Sequence, residues 1–147
     1  MLKILFLFAF IIVPKLGSAS NYELELFMHI NDKKSITYPD SNKHIILYGS
    51  ANWKDSDGDY GIMNCLATIT TLNAKNTANL NANCEAKNNS NEKFWLNLAR
   101  TSDMNAGVGI ATYLYGEGKY KEYVGKKCNY AVKYFEDRMF YKQQCKK

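Results

Sequence analysis

Histidine is scarce in this chain of 147 residues, and neither His29 nor His44 stands in a recognisable motif. A Ser-His-Asp or Cys-His site needs a base within reach of a nucleophile. A zinc site needs three or four ligands at recognisable spacing, and the four cysteines are spaced too widely for one. We therefore expect no catalytic residues and no cofactor, and a structural role for His29.

Long amphipathic helices and long apolar runs are also missing. The apolar run of residues 4–13 is too short to cross a membrane as a helix, which takes about 20 residues. It follows Lys3 and precedes the small residues 17–19, which is the pattern of a secretory signal peptide. We expect residues 1–19 to be a signal peptide and residues 20–147 a single domain, secreted or periplasmic, with no membrane span after cleavage. An uncleaved anchor is the alternative.

Charge of either sign is modest. The formal net charge is +5, and the two lysines of the signal segment, Lys3 and Lys15, account for two of those charges. The expected mature domain therefore carries +3, which does not favour a nucleic-acid partner.

Four cysteines behind an export signal predict two disulfides formed in an oxidising compartment. Residues 128–135 alternate, with Cys128 on an apolar face, and residues 138–145 alternate with Cys145 on theirs. Facing residues of an antiparallel hairpin have a constant sum of residue numbers. A turn that sets Phe135 opposite Arg138 also sets Cys128 opposite Cys145, so we predict a disulfide between them.

The same arithmetic applies to a second hairpin. A turn at residues 73–76 sets Cys65 opposite Cys84 and places both on an apolar face. Asn and Thr residues then form the opposite face, as a sheet with one wet side requires. We predict a second cross-strand disulfide, Cys65 with Cys84. On the chain-entropy model, each cross-link should stabilise the folded state by about 3 kcal/mol, because it closes a loop in the unfolded chain.

The remaining chain divides into short alternating runs joined by polar turns. The predicted strands are residues 22–30, 44–48, 62–72, 77–86, 94–99, 107–115, 128–135 and 138–145, with loops at residues 31–43, 53–61 and 100–105 and one helical turn near residues 120–124. The fold class we predict is all-β, with about eight antiparallel strands in a closed or nearly closed barrel. A sandwich is the alternative.

A glycine-rich segment in the last third of the chain is similar to a segment of a known protein family. The run from Tyr115 to Tyr120, Tyr-Gly-Glu-Gly-Lys-Tyr, precedes Gly125 and a Tyr-rich strand, and resembles the Gly-x-Gly-Lys-Tyr-x-x-x-x-Gly segment of allene oxide cyclase and dirigent barrels. The turn at residues 57–61 is similar to the strand entry of such barrels. The resemblance implies a small secreted calycin-like barrel with rim turns at Gly116, Gly118 and Gly125. We expect these three glycines to adopt backbone angles that other residues rarely adopt. It brings no catalytic residues with it.

Three acidic residues repeat at spacing two. Asp55, Asp57 and Asp59 match the first three ligands of an EF-hand loop, but its sixth position is Tyr60 rather than Gly and its twelfth is Leu66 rather than Glu. A turn of solvated carboxylates is the preferred interpretation, so no metal is predicted. A weak calcium site in an interaction module is the alternative.

Tyrosines are abundant in the last third of the chain, where they form either packed core or the lining of a cavity. We expect a non-catalytic exported barrel with a binding or structural role, whose ligand would be a small apolar molecule or a sugar. A cyclase or isomerase working in a barrel cavity is the alternative. Asn88 fits a glycosylation sequon if the source is eukaryotic.

Overall fold

Alternating apolar and polar residues build eight long strands, and the strands close on themselves. The computed structural model describes residues 21–72 and 77–146. The predicted signal peptide of residues 1–19 and the predicted turn at residues 73–76 lie outside the described residues. Within the described part of the chain, no helix is long and apolar enough to cross a membrane.

Each strand pairs antiparallel with the next, and β8 pairs with β1, so the sheet is a closed eight-stranded barrel. The prediction of an all-β antiparallel barrel is confirmed, and the architecture is consistent with a calycin-like barrel. The strands are β1 (Tyr22–Thr37), β2 (Lys43–Asp55), β3 (Tyr60–Leu72), β4 (Thr77–Asn88), β5 (Lys93–Asp103), β6 (Ala106–Gly116), β7 (Lys127–Phe135) and β8 (Arg138–Cys145).

Residue parity decides which side chains face the interior. Along β4, the even-numbered Leu80, Ala82 and Cys84 are buried, whereas Asn79 and Asn81 are exposed. Buried side chains alternate in the same way along β2, β5, β7 and β8, so the core is the barrel interior.

Both predicted disulfides are present in the predicted register. Cys65 faces Cys84 across β3 and β4, and Phe135 faces Arg138 at the two-residue turn between β7 and β8. Cys128 is bonded to Cys145, and no cysteine is free. Disulfides of this kind form in an oxidising environment.

Several predicted boundaries were wrong, because the strands are longer than the alternation suggested. Most of the predicted loop at residues 31–43 belongs to β1 and its pairing with β2, after a bulge between Ile30 and Asp32. This extension is exposed on both faces, so no apolar alternation marked it. The predicted strand at residues 44–48 continues as β2 to Asp55, and β5 continues through most of the predicted loop at residues 100–105.

One end of the barrel, here called the capped end, is closed by a 3₁₀ helix, Gly118–Tyr123, which agrees with the predicted helical turn. Its Tyr120 packs at 4.5 Å from Phe94 between ring centroids, and Tyr123 lies 4.7 Å from Tyr22. Gly118 and Gly125 have positive φ angles of 50° and 82°, as their predicted turn role requires.

Gly116 lies at the same rim but has no positive φ. A Cβ there would lie 2.6 Å from the backbone carbonyl carbon of Tyr120. The expectation of an unusual backbone angle at Gly116 is therefore wrong, and this residue is needed for close approach instead.

Candidate ligand site inside the barrel

A cavity of about 40 Å³ lies in the barrel interior, toward the uncapped end, which carries the β5–β6 and β7–β8 turns. That space suffices for a water molecule or a group of similar size. Its wall is apolar apart from a few side chains, and among the described residues that line it Arg100 is the one that carries a charge. The lining residues are Met28, Ile30, Leu47, Gly49, Cys65, Ala67, Leu80, Ala82, Leu98, Arg100, Tyr130, Val132, Tyr134, Met139 and Tyr141.

Arg100 places a guanidinium beside this cavity, and the residue is only 6% exposed. It continues the inward parity of Leu96 and Leu98 along β5. Its Nη1 donates to the Ser102 hydroxyl and to the Asp103 backbone carbonyl at 2.6 Å, and Nη2 donates to a further carbonyl, that of Met104, at 3.4 Å.

All of these acceptors are neutral oxygens. The Asp103 carboxylate accepts a hydrogen bond from the backbone N–H of Asn105 at 2.8 Å. Among residues 21–72 and 77–146, none of the ion pairs includes Arg100, and its buried Nε has no hydrogen-bond partner. The Tyr134 ring stacks near the guanidinium at 5.7 Å.

Tyr130 is the second polar group of the cavity. It is 4% exposed, and its hydroxyl is buried without a hydrogen-bond partner in the described chain. Its ring stacks on Tyr141 at 4.9 Å, yet the Tyr141 hydroxyl is satisfied by Gln143 Oε1 at 2.7 Å. Burial raises the pKa of Tyr130 to about 12, while the positive charge of Arg100 acts to lower it. The hydroxyl is therefore neutral at pH 7 and keeps its proton to donate.

Two glycines on β6 make room for these groups. Gly107 and Gly109 occupy positions whose side chains would face inward. A Cβ at Gly107 would lie 2.7 Å from Arg100 Nη1, and a Cβ at Gly109 would lie 2.6 Å from the Tyr130 hydroxyl oxygen. The sequence therefore leaves out side chains where the two polar groups need space.

The energetic consequence is a site whose polar groups are only partly satisfied. A buried donor or acceptor without a partner costs about 1–3 kcal/mol. A ligand that brought acceptor atoms to Arg100 Nε and to the Tyr130 hydroxyl would relieve this cost at both groups, and hydrogen bonds to a charged donor such as the guanidinium are the stronger kind.

A separate polar cluster holds the capped end together. Lys119 Nζ lies 2.8 Å from Asp59 Oδ2 and 3.5 Å from Asp55 Oδ2. Asp59 Oδ2 also accepts from the Tyr120 hydroxyl and from Asn88 Nδ2, each at 3.0 Å. The hydrogen bond from Lys119 lowers the pKa of Asp59, although burial opposes the shift.

Two of the three aspartates expected in the turn have carboxylates that hold the capped end. Asp55 Oδ1 accepts the backbone N–H groups of Asp57 and Asp59 at 3.0 and 2.9 Å, and the Asp55 carboxylate is fully buried. Within the part of the chain that the structure describes, no three His, Cys, Asp or Glu side chains are placed to hold a metal ion together. Asp55 and Asp59 act as acceptors for the helix that closes the barrel.

Asn88 is 4% exposed, and its side chain is hydrogen-bonded throughout. Nδ2 donates to Asp59, and Oδ1 accepts from the backbone N–H groups of Ser90 and Glu92 at 3.0 and 2.8 Å. The folded barrel therefore does not offer this amide to a glycosyltransferase.

Both histidines and a pair of glutamates lie on the outer wall of the barrel. Glu23 and Glu25 flank Lys142, at 2.8 and 3.4 Å from its Nζ. His29 Nδ1 lies 3.0 Å from Asp137 Oδ2, and His44 Nδ1 lies 3.2 Å from the Thr70 hydroxyl. These contacts join neighbouring strands and do not assemble a nucleophile with a base.

Sequence reasoning missed Arg100 because the predicted strand ends at Ala99, whereas β5 continues to Asp103. The signal was present, since Arg100 keeps the parity of Phe94, Leu96 and Leu98. Tyr130 shares the apolar face of Cys128 by parity, but its lack of a hydrogen-bond partner depends on residues of other strands and cannot be deduced from spacing.

No protein-family model matches the chain. No curated protein matches it significantly either.

Proposed function

We propose that this protein is a non-catalytic binding protein that takes a small apolar ligand into its barrel cavity. The observation that carries the proposal is an interior cavity with an apolar wall that also contains unsatisfied polar groups. Ligand sites in proteins are concave and mostly apolar, with a few placed polar groups that orient the ligand.

The cavity is small, but part of its wall is adaptable. Met28 and Met139 both line it, and methionine side chains are unbranched and change shape at low cost. Met28 Sδ lies where a side chain at Gly49 would stand, at 2.7 Å from that Cβ position. Movement of these thioethers would lengthen the space available to an apolar chain.

We propose in addition that the protein is exported and that it is related to a known family of barrels. Two disulfides support an oxidising compartment, and we propose a secreted or periplasmic protein whose signal peptide is residues 1–19. The closed barrel and the glycine-bounded helix support a relationship to the allene oxide cyclase and dirigent barrels.

A cyclase or isomerase in the same barrel is the weaker proposal. A substrate-sized molecule is generally held in a pocket of about 300–1,000 Å³. The cavity measures about 40 Å³, which favours binding of a small group over turnover of a large substrate.

The methionine methyl groups provide a direct test. Met28 and Met139 line the cavity, whereas Met63 is buried outside its lining and serves as an internal control. With ¹³C-methyl methionine, addition of six-carbon alcohols or acids should shift the Met28 and Met139 resonances and leave Met63 nearly unchanged. If no probe from butanol to octanol, or from butyrate to octanoate, shifts the cavity methyl groups, the proposed function is wrong.

A further inference from the structure

The chemical class of the ligand follows from the two unsatisfied groups in the cavity. We infer that the occupant is a monocarboxylate with an apolar tail, whose carboxylate is held by Arg100 and Tyr130. This inference rests on the proposed binding function and adds the charge and shape of the ligand to it.

The hydrogen-bond donors in the cavity indicate a carboxylate head group. Arg100 has an unpartnered Nε–H, and Tyr130 has an unpartnered hydroxyl; the residues are 6% and 4% exposed. A carboxylate has two acceptor oxygens and one negative charge, which matches one N–H of a cation and one hydroxyl. A phosphate group would bring more oxygens and more charge than these two donors satisfy.

The apolar lining of the cavity indicates a hydrocarbon tail. Apart from Arg100 and the tyrosines, the lining is apolar and includes Met28, Leu80, Val132 and Met139. A sugar would bury several hydroxyls against a wall with few partners for them, and each unpaired hydroxyl weakens binding. The same wall favours a hydrocarbon chain, so the sugar alternative is the poorer fit.

The fixed surroundings indicate a preorganised site. Three hydrogen bonds to Ser102, Asp103 and Met104 hold the guanidinium. Gly107 and Gly109 leave space around the guanidinium and the Tyr130 hydroxyl. The ligand therefore needs to organise little of the head-group site itself, which favours affinity.

The experiment compares acids with alcohols of equal length. Binding of butyrate, hexanoate and octanoate to the oxidised protein is measured by calorimetry beside butanol, hexanol and octanol. We expect each acid to bind about tenfold or more tightly than its alcohol. We also expect the midpoint temperature of thermal unfolding to rise by about 5–10 °C when the concentration of the acid is about a hundred times its Kd.

Two variants assign the effect to residues. Arg100→Gln should abolish the preference for acids, and Tyr130→Phe should reduce it several-fold, while the removed hydroxyl had no partner to lose. Arg138→Gln is the matched control. It removes the same charge from an outer-wall arginine whose side chain is 44% exposed and packs over Phe27, so the preference should persist.

The outcomes of these experiments distinguish the carboxylate assignment from the proposed binding function. Equal binding of acids and alcohols would overturn the carboxylate assignment and leave the binding function standing. Binding of inorganic phosphate or chloride at the same site, as tightly as hexanoate, would overturn the apolar tail. If no acid and no alcohol binds, the proposed function fails as well. Should Arg100→Gln fail to fold, Tyr130→Phe decides the assignment, and an unchanged acid preference there would refute it.

Discussion

Removal of one disulfide should cost the barrel about 3–4 kcal/mol of its free energy of unfolding. The bonds join Cys65 to Cys84 and Cys128 to Cys145, at sequence separations of 19 and 17. Loop closure in the unfolded chain accounts for about 3 kcal/mol at these lengths. Deletion of two buried sulfur atoms should add about 1 kcal/mol, as for loss of a buried methyl group.

The loop-entropy contribution is the larger one, so the two pairs should behave alike. Hairpin β3–β4 and hairpin β7–β8 lie on opposite walls of the ring and share no strand. Effects of distant, independent sites add. Removal of both pairs should therefore cost about 6–8 kcal/mol, which is comparable to the entire stability of a typical domain at about 5–15 kcal/mol.

Urea denaturation checks this, with fluorescence of the buried Trp53 as the probe. The variants are Cys65→Ala with Cys84→Ala, Cys128→Ala with Cys145→Ala, and all four together. Alanine is chosen over serine because the sulfurs are buried and a hydroxyl would need a partner. At an m value of about 2 kcal/mol/M, each pair should lower the midpoint by about 1.5–2 M.

The matched controls are the wild type in its oxidised and its fully reduced form. Reduction keeps the sulfur atoms and removes only the cross-links, so it isolates the loop-entropy contribution. A loss below about 1 kcal/mol for either pair, or strong non-additivity between the two, would refute the reasoning that local cross-links act mainly on the unfolded chain.

Four further predictions concern the capped end and the cavity. Tyr120→Ala should cost about 3–5 kcal/mol, because it leaves a cavity beside Phe94, whereas Tyr120→Phe should cost about 1 kcal/mol for the lost bond to Asp59; both are read from urea midpoints. Asp59→Asn should cost about 1–3 kcal/mol at pH 7, and the difference from wild type should shrink as the pH falls below about 4. The sign follows because the pKa of Asp59 is lowered in the folded state, so its stabilisation exists above the unfolded pKa and is lost on protonation; a constant difference down to pH 2 would contradict it. Asn88 should stay unmodified when folded protein is treated with oligosaccharyltransferase, and Asn88→Ala should lower stability because it removes the acceptor for Ser90 and Glu92, while an unchanged midpoint would count against its structural role. Calcium titration by calorimetry should give no heat above dilution, and saturable binding lost in Asp57→Asn would restore the calcium alternative.

The strand pattern and both disulfides were accessible from the sequence, because they depend on local parity. Cys65 and Cys84 share an apolar face with Leu80 and Ile69, and the turn fixes the register between them. The same reasoning failed at residues 31–37, where both faces of the strand are wet and alternation carries no signal. Periodicity reports burial, so an unburied strand is invisible to it.

The candidate site was less accessible. Arg100 and Tyr130 come from β5 and β7, and their side chains share one cavity because of the closed ring. The capped end shows the same limit, since Asp59 meets Tyr120 across 61 positions of sequence. Spacing alone favoured a solvated turn for Asp55, whereas its carboxylate is fully buried under Lys119.

Closure of the ring has a consequence for how the molecule is made. The last wall to form joins β1 to β8, with Tyr22 beside Cys145, so the earliest and latest strands to be synthesised must meet. Contacts so distant in sequence slow folding. The seam cannot be sealed before β8 has been synthesised, so completion of the native state has to wait for that strand.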